Sequence, residues 1–187
     1  MPTKIILLGD ENVGKTSLVS RWTTPLMFPY VDRTIGIECK SHLHKYMDNV
    51  YKLQFWDCSG TKSYYSLYDT YIYNANLAIV VFDVTDAKTF RNVDFWLQMV
   101  IKKHGKKFPI CVVANKIDRE SERLIHMEDI KMFVDSLDAN IIILETSATH
   151  NISCSDSFRV MLSRISSLEI LTTTVDNRTW FQKFFGV

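Results

Sequence analysis

A glycine-rich segment near the N-terminus has the residue types and spacing of a phosphate-binding loop. Residues 9–16 read GDENVGKT, a G-x-x-x-x-G-K-[ST] pattern between a short apolar run and a helical pattern from about Lys15 to Trp22. That context distinguishes a P-loop from a chance glycine-rich turn. Backbone N–H groups and the positive end of the helix would surround the phosphates. Lys15 would neutralise the β- and γ-phosphates, and the Thr16 hydroxyl would bind Mg²⁺. The predicted nucleotide-lining residues here are Glu11, Asn12, Val13, Gly14, Lys15, Thr16 and Ser17.

A second motif indicates which base is bound. Residues 115–118 read NKID and follow an apolar run, so Asn115, Lys116 and Asp118 are placed where ligands of open α/β sheets bind. Asp118 can accept hydrogen bonds from N1–H and the 2-amino group of guanine, whereas adenine offers neither donor. Residues 146–148, which include Ser147 and Ala148, can present backbone N–H groups to the guanine O6. A P-loop ATPase or nucleoside kinase would need a different base pocket.

The elements that must position these motifs follow from hydrophobic periodicity. Apolar runs at 4–8, 77–82, 110–114 and 141–144 are typical of strands buried on both faces of a parallel sheet. Helical patterns lie between them at 90–101 and 130–137, and a last helix is predicted near 153–168.

Residues 37–56 have a different pattern, with two extended stretches around a plausible hairpin turn at 47–49. The predicted fold is therefore three-layer α/β, with a mixed, mostly parallel six-stranded sheet and helices on both faces. Residues 1–170 would form this domain, and residues 171–187 a short aromatic tail.

The bulk composition is that of one globular domain. The 187 residues are 47% apolar and 23% charged, and their net charge of +1 gives no reason to expect nucleic-acid binding. No apolar run is long enough to span a membrane. The four cysteines have no paired spacing, which favours reduced thiols in the cytosol. His42 and His44 alternate on a predicted strand, either as an exposed or partner-facing edge or as a metal site.

Residues 3–168 resemble a Ras-superfamily small GTPase, and within that superfamily the Rab branch. The resemblance implies that the three-layer α/β domain has the P-loop GTPase fold. Residues 34–37 (TIGI) resemble the Rab switch I, and residues 56–60 (WDCSG) resemble the start of switch II. The resemblance implies that Thr34 contacts Mg²⁺ and the γ-phosphate, Asp57 contacts Mg²⁺ through water, and the Gly60 N–H contacts the γ-phosphate. It also implies that GTP hydrolysis releases both switch loops, with Lys15, Gly60 and Thr61 as the catalytic positions.

Two positions near the γ-phosphate depart from the family pattern. Thr61 replaces the glutamine that usually orients the attacking water, so we expect weak intrinsic hydrolysis, unless another residue or a partner supplies the missing group. Glu11 occupies a position that is normally small. A carboxylate about 6 Å from a phosphate charge would repel it by about 3 kcal/mol at an effective dielectric near 20, unless it turns outward. In either orientation it should obstruct an arginine finger.

Milder departures concern the base and the partner surface. Met27 replaces the guanine-stacking aromatic, although Phe28 or Tyr30 could substitute, and Thr149 replaces the lysine that covers the base. The three aromatic residues of the Rab effector surface correspond here to Cys39, Trp56 and Tyr71. Effectors, exchange factors and GTPase-activating proteins would bind around Ile35–Glu38, Trp56 and Tyr71, but the lost aromatic argues against common Rab effectors.

The C-terminal residues suggest no prenylation, because the last cysteine is Cys154, inside the domain. The aromatic residues of 180–185 could dock on the domain itself, on a partner or on a membrane surface. The basic cluster at 102–107 is interpreted as cations at the C-terminal end of a helix, in preference to a lipid or partner patch.

The leading hypothesis is a cytoplasmic, monomeric GTP/GDP switch with slow hydrolysis, acting in vesicle traffic and contacting membranes through a partner. The alternative is a non-hydrolysing, nucleotide-bound subunit of a larger complex. Thr61, Glu11 and the missing prenylation cysteine favour the alternative. The switch is favoured by the intact Mg²⁺ and phosphate residues, which are Lys15, Thr16, Thr34 and Asp57.

Overall fold

The computed structural model describes residues 2–24, 33–46 and 49–167, where strands and helices alternate as predicted. The strands are β1 (Thr3–Leu8), β2 (Ile37–Tyr46), β3 (Asn49–Cys58), β4 (Leu77–Asp83), β5 (Ile110–Asn115) and β6 (Ile141–Thr146). The helices are α1 (Lys15–Thr23), α2 (Tyr65–Ile72), α3 (Ala87–Arg91), α4 (Val93–His104), α5 (Met127–Ser136) and α6 (Cys154–Ser167). Short 3₁₀ turns lie at Lys62–Tyr64 and Glu120–Glu122.

The strands form a six-stranded sheet in the order β2-β3-β1-β4-β5-β6. Only the β2–β3 pair is antiparallel, and the other pairs are parallel. The predicted mixed, mostly parallel sheet is therefore confirmed. The order reverses around β1, so the loop after β1 lies between diverging connections, where open α/β sheets bind their ligands.

Two apolar layers cover the two faces of the sheet. Along β1, Ile5 and Leu7 point to the layer that contains α1 and α6, while Ile6 and Leu8 point to the layer that contains α2, α4 and α5. The alternation of strand side chains places successive residues in opposite layers. This arrangement confirms helices on both faces and explains why β1 reads as an unbroken apolar run.

Three details differ from the sequence-based expectation. Residues 141–144 were expected to be buried on both faces, but β6 is an edge strand and these side chains are only partly buried. An edge strand has one neighbour and is more open to solvent. The helical pattern at 90–101 forms two helices, α3 and α4, which meet at Asn92. Helix α2 was not predicted at all.

The two histidines on β2 lie over the chain's own helix α6. The rings of His42 and His44 are 5.7 Å apart, and His44 packs edge-on against Phe158 at 4.6 Å. The expectation of an exposed or partner-facing edge was therefore wrong in part, because Phe158 covers this side of the hairpin. Both side chains are half-buried.

The basic cluster lies at the C-terminal end of α4, as predicted, with Lys102, Lys103 and His104 in its last turn. Within the described ranges, no helix combines the length and the apolar character needed to cross a membrane. The hairpin turn at 47–48, the base-stacking candidates Met27, Phe28 and Tyr30, and the aromatic tail lie outside the described residues.

Candidate nucleotide-binding site

The loop between β1 and α1 wraps around the Lys15 ammonium group. Lys15 Nζ donates to the carbonyl oxygens of Gly9 at 2.8 Å and Asp10 at 2.6 Å. Burial lowers the pKa of Lys15 to about 8, although the Asp57 carboxylate opposes this shift. The Lys15 ammonium group is therefore held inside the loop, where a nearby anionic phosphate would raise its pKa again.

Glycine is required where this loop meets the base-binding motif. Gly14 has φ of 97°, and a Cβ there would lie 2.3 Å from Asn115 Nδ2. The Asn115 amide donates to the Val13 carbonyl at 2.8 Å, and its Oδ1 accepts from Thr146 Oγ1 at 3.1 Å. Asn115 therefore joins the phosphate loop to the loop after β6, and its role is to hold the two halves of the site together.

Three hydroxyl and carboxylate groups converge next to the P-loop. Thr16 Oγ1 lies 2.8 Å from Thr34 Oγ1 and donates a short hydrogen bond to Asp57 Oδ2. Thr34 Oγ1 donates to the same carboxylate oxygen at 3.2 Å. Burial raises the pKa of Asp57, while the hydrogen bonds from Thr16 and Thr34 oppose that shift. Hard oxygen donors of this kind match the ligands that Mg²⁺ prefers.

Two carboxylate oxygens are buried without a hydrogen-bond partner among the described residues, Asp57 Oδ1 and Asp118 Oδ1. An unsatisfied buried charge is costly in a folded protein. Each oxygen belongs to a residue that the sequence assigned to a ligand, Asp57 to Mg²⁺ and Asp118 to guanine. The residues present therefore fit both groups.

The base-side loop is ordered by contacts within the protein. Lys116 has φ of 68°, and its Nζ pairs with Asp83 Oδ2 at 2.6 Å. The backbone N–H of Ala148 donates to Asn115 Oδ1 at 3.2 Å, and that of Ser147 donates to Ile152 O at 3.0 Å. The backbone N–H groups of Ser147 and Ala148, which the sequence predicted to bind the guanine O6, are therefore hydrogen-bonded within the protein.

A cleft of about 210 Å³ connects the P-loop with both switch segments. Its walls come from three parts of the chain: Glu11, Asn12, Gly14, Lys15, Thr16 and Ser17 from the P-loop, Arg33 and Thr34 from the segment before β2, and Cys58, Ser59 and Gly60 from the end of β3. Gly60 allows the closest approach, because a Cβ there would lie 2.1 Å from Glu11 N. The predicted P-loop residues therefore all line this cleft except Val13, whose side chain is buried in the apolar core.

Comparisons with known proteins agree with this geometry. The family model described as the Ras family matches residues 4–167. The chain is 32% identical over 162 residues to the Ras-related protein Rab11B of Nicotiana tabacum, which covers 87% of this chain and 74% of the relative. It is 33% identical over 162 residues to the Ras-related protein RABA1f of Arabidopsis thaliana, with the same coverage of both chains.

The chain belongs to the Ras family.

As a Ras-family protein of the Rab branch, it is a small GTPase that binds GTP and GDP with Mg²⁺, hydrolyses GTP and acts as a switch in vesicle traffic. Mg²⁺, which Thr16, Thr34 and Asp57 would hold, would supply positive charge to the nucleotide phosphates. The remaining features of the site are contributed by this chain's own residues.

Glu11 of this small GTPase is paired with a residue that sequence reasoning missed. Its Oε1 lies 2.6 Å from Arg33 Nη2, and the same nitrogen donates to Thr61 Oγ1 at 3.0 Å. The Thr61 hydroxyl beside Glu11 and then the Arg33 charge lower the pKa of the Glu11 carboxyl. Glu11 thus turns toward switch I, and no sequence motif signalled this pairing.

The P-loop of the GTPase is also tied to α4. Asp10 Oδ2 accepts from Asn92 Nδ2 at 2.6 Å, and Asp10 Oδ1 accepts from Trp96 Nε1 at 2.9 Å. Both partners were absent from the sequence-based site. The only sequence signal for this contact was that Asn92 is a polar residue within the helical pattern at 90–101.

On the base side, His150 was missed as well. Its Nδ1 lies 3.2 Å from Asp118 Oδ2, and its side chain is 63% exposed. Thr149, predicted to cover the base, is exposed in the structure. The residue that contacts the Asp118 carboxylate is therefore His150, which directly follows Thr149 in the chain.

Proposed function

We propose that this small GTPase holds the nucleotide phosphates with the P-loop residues 11–17, Mg²⁺ with Thr16, Thr34 and Asp57, and guanine with Asp118. The observation that carries this placement is the pair of buried carboxylate oxygens, Asp57 Oδ1 and Asp118 Oδ1, which lack partners among the described residues. A cation and two guanine N–H donors would complete their hydrogen bonding and charge.

We further propose that hydrolysis is slow. The Thr61 hydroxyl lies 2.9 Å from Ser59 Oγ and accepts from Arg33, and threonine is shorter than the usual glutamine. Thr61 is therefore poorly suited to orient an attacking water. The test is to denature the purified protein and identify the released nucleotide by chromatography. GTP as the main species would support slow turnover, whereas GDP would show that turnover survives Thr61 and Glu11.

The second candidate is a non-hydrolysing interaction module, favoured by the same engagement of Thr61 with Ser59 and Arg33. Single-turnover hydrolysis at high enzyme concentration separates the two functions. No cleavage over hours, with cell extract added as a source of activating proteins, would establish the module and exclude the slow switch.

Partners of the switch would bind around Ile35–Glu38, Trp56 and Tyr71. Ile35 is 82% exposed, and the rings of Trp56 and Tyr71 lie 5.5 Å apart. An exposed apolar residue in the segment before β2 and a pair of aromatic rings on β3 and α2 both suit a protein interface. We propose a cytoplasmic monomer that reaches membranes through a partner bound at this surface. Sedimentation velocity should give the mass of a monomer. In cell fractionation, Ile35→Asp should lower the fraction of the protein that is found with membranes.

A further inference from the structure

Three loops of the site meet at the guanidinium group of Arg33. Its Nη2 lies 2.6 Å from Glu11 Oε1 in the P-loop and donates to Thr61 Oγ1 in switch II at 3.0 Å. Arg33 itself immediately precedes Thr34, the switch I threonine. One side chain therefore links the P-loop, switch I and switch II.

The pair lies in the wall of the phosphate cleft. Glu11 and Arg33 both line the cleft that also contains Lys15, Thr16 and Gly60. A lone Glu11 carboxylate beside a γ-phosphate would be repelled by it. An adjacent guanidinium offsets that charge, and because both observed bonds use Nη2, the group keeps further N–H donors.

A contribution to fold stability does not explain this contact. The Arg33 and Glu11 side chains are 60% and 35% exposed, and exposed ion pairs contribute little to folding. The charge of the pair matters more when the bound nucleotide has a γ-phosphate. GTP has this additional negative group and GDP does not.

We propose that Arg33 is a specificity-determining residue that allows GTP to bind beside Glu11, by neutralising the Glu11 carboxylate at the γ-phosphate side of the cleft. This inference rests on the proposed placement of the nucleotide. Its distinctive consequence is a preference between GTP and GDP, because only GTP brings the γ-phosphate to this wall.

The test is a double-mutant cycle on nucleotide affinity with Glu11→Gln, Arg33→Gln and the double variant. A fluorescent non-hydrolysable GTP analogue and fluorescent GDP are titrated with Mg²⁺ present, so the readout is binding and not activity. Arg33→Gln should weaken binding of the GTP analogue about tenfold and of GDP less than about twofold. Glu11→Gln should leave the GTP analogue as tight or tighter, and the double variant should return to within about threefold of wild type.

Arg91→Gln is the matched control, because Arg91 is an exposed arginine at the end of α3. It should change neither affinity, which separates the local effect from the loss of one positive charge. Thermal unfolding of each variant checks that the fold is intact. The selective loss in Arg33→Gln should also shrink at high salt, because the groups are exposed to solvent.

Two results would overturn the inference while leaving the nucleotide placement intact. One is an equal loss of GTP analogue and GDP in Arg33→Gln, and the other is a double variant as weak as Arg33→Gln. Failure of the wild-type protein to bind either guanine nucleotide would instead overturn the placement itself.

Discussion

Asp57 and Asp118 each have one buried oxygen without a partner among the described residues, while Asp57 Oδ2 accepts hydrogen bonds and Asp118 Oδ2 lies 3.2 Å from His150 Nδ1. Each carboxylate thus has protein contacts on one oxygen, and the other is assigned to a ligand in the proposed placement. The threonine hydroxyls orient Asp57, and His150 contacts Asp118. At the scale of single residues, this arrangement supports the proposed placement of a cation at Asp57 and of guanine at Asp118.

Asp118→Ala should weaken GTP binding at least about 100-fold, because two hydrogen bonds to a charged acceptor contribute about 3 kcal/mol or more. ATP, which lacks both donors, should lose little and become a better competitor. Competition titration against fluorescent GDP measures both changes. Asp135→Ala, an exposed aspartate on α5, is the control and should bind GTP as wild type does. Unchanged GTP affinity in Asp118→Ala would refute the guanine assignment.

Thr61→Gln should raise the rate of GTP hydrolysis less than about tenfold while Glu11 remains. Glu11 and Arg33 occupy the space around position 61. Substitutions at positions 11 and 61 therefore affect one pocket, and their effects on the hydrolysis rate should not be independent. Single-turnover kinetics of Thr61→Gln and of Glu11→Ala/Thr61→Gln measure the effect. A rate typical of Rab proteins in Thr61→Gln alone, or no further increase when Glu11 is also removed, would contradict this prediction.

At the scale of elements, the P-loop depends on two neighbours for its shape. Helix α4 holds it through Asp10, by hydrogen bonds from Asn92 and Trp96. Strand β5 holds it through Asn115, which bonds to Val13 O. A phosphate loop anchored on both sides can present its backbone N–H groups with little reorganisation on binding.

Asn92→Ala should speed nucleotide release about three- to tenfold, although Asn92 is no part of the predicted nucleotide contacts. The substitution removes a hydrogen bond to the Asp10 carboxylate, a class worth about 1.5–3 kcal/mol, and part of that loss should appear in the loop. Stopped-flow chase of fluorescent GDP measures the rate. Gln98→Ala, which removes an exposed bond to Asp94 on the same helix, should release GDP at the wild-type rate.

At the scale of the whole molecule, the Phe158 side chain connects helices α6 and α1 to strand β3 within one apolar layer. The Phe158 ring of α6 lies 6.0 Å from Trp22 of α1 and 6.2 Å from Phe55 of β3. All three rings are buried. This cluster fixes α1 against the sheet, and α1 begins at Lys15 in the phosphate loop.

Phe158→Ala should lower the free energy of unfolding by about 3–5 kcal/mol, the usual cost of removing a buried aromatic ring. Urea unfolding followed by tryptophan fluorescence measures the change, since Trp22 reports on the same cluster. Val160→Ala is the control, because Val160 is 41% exposed on the same helix and should lose less than about 1 kcal/mol. A loss of similar size in both variants would contradict the central role of Phe158.

Local patterns in the sequence were enough to predict the fold and the motif residues that meet in the site. Buried strands appear as apolar runs, and surface helices as three- and four-residue repeats. Because Lys15, Asp57 and Asn115 lie at or just after the carboxyl ends of parallel-sheet strands, their convergence also followed from topology. The exceptions were β6, which is an edge strand, the pattern at 90–101, which forms two helices, and α2, whose sequence carried no recognised repeat.

The sequence alone thus determined the Ras-like architecture, the phosphate loop and the guanine-selecting motif, since each depends on residues close together along the chain. Only the tertiary structure decided that Arg33 pairs with Glu11, that α4 anchors Asp10, and that His150 contacts Asp118. These partners come from separate loops and elements, and no periodic pattern encodes which loop side chains meet. Their contacts arise from how the packed sheet and helices bring the loop ends together.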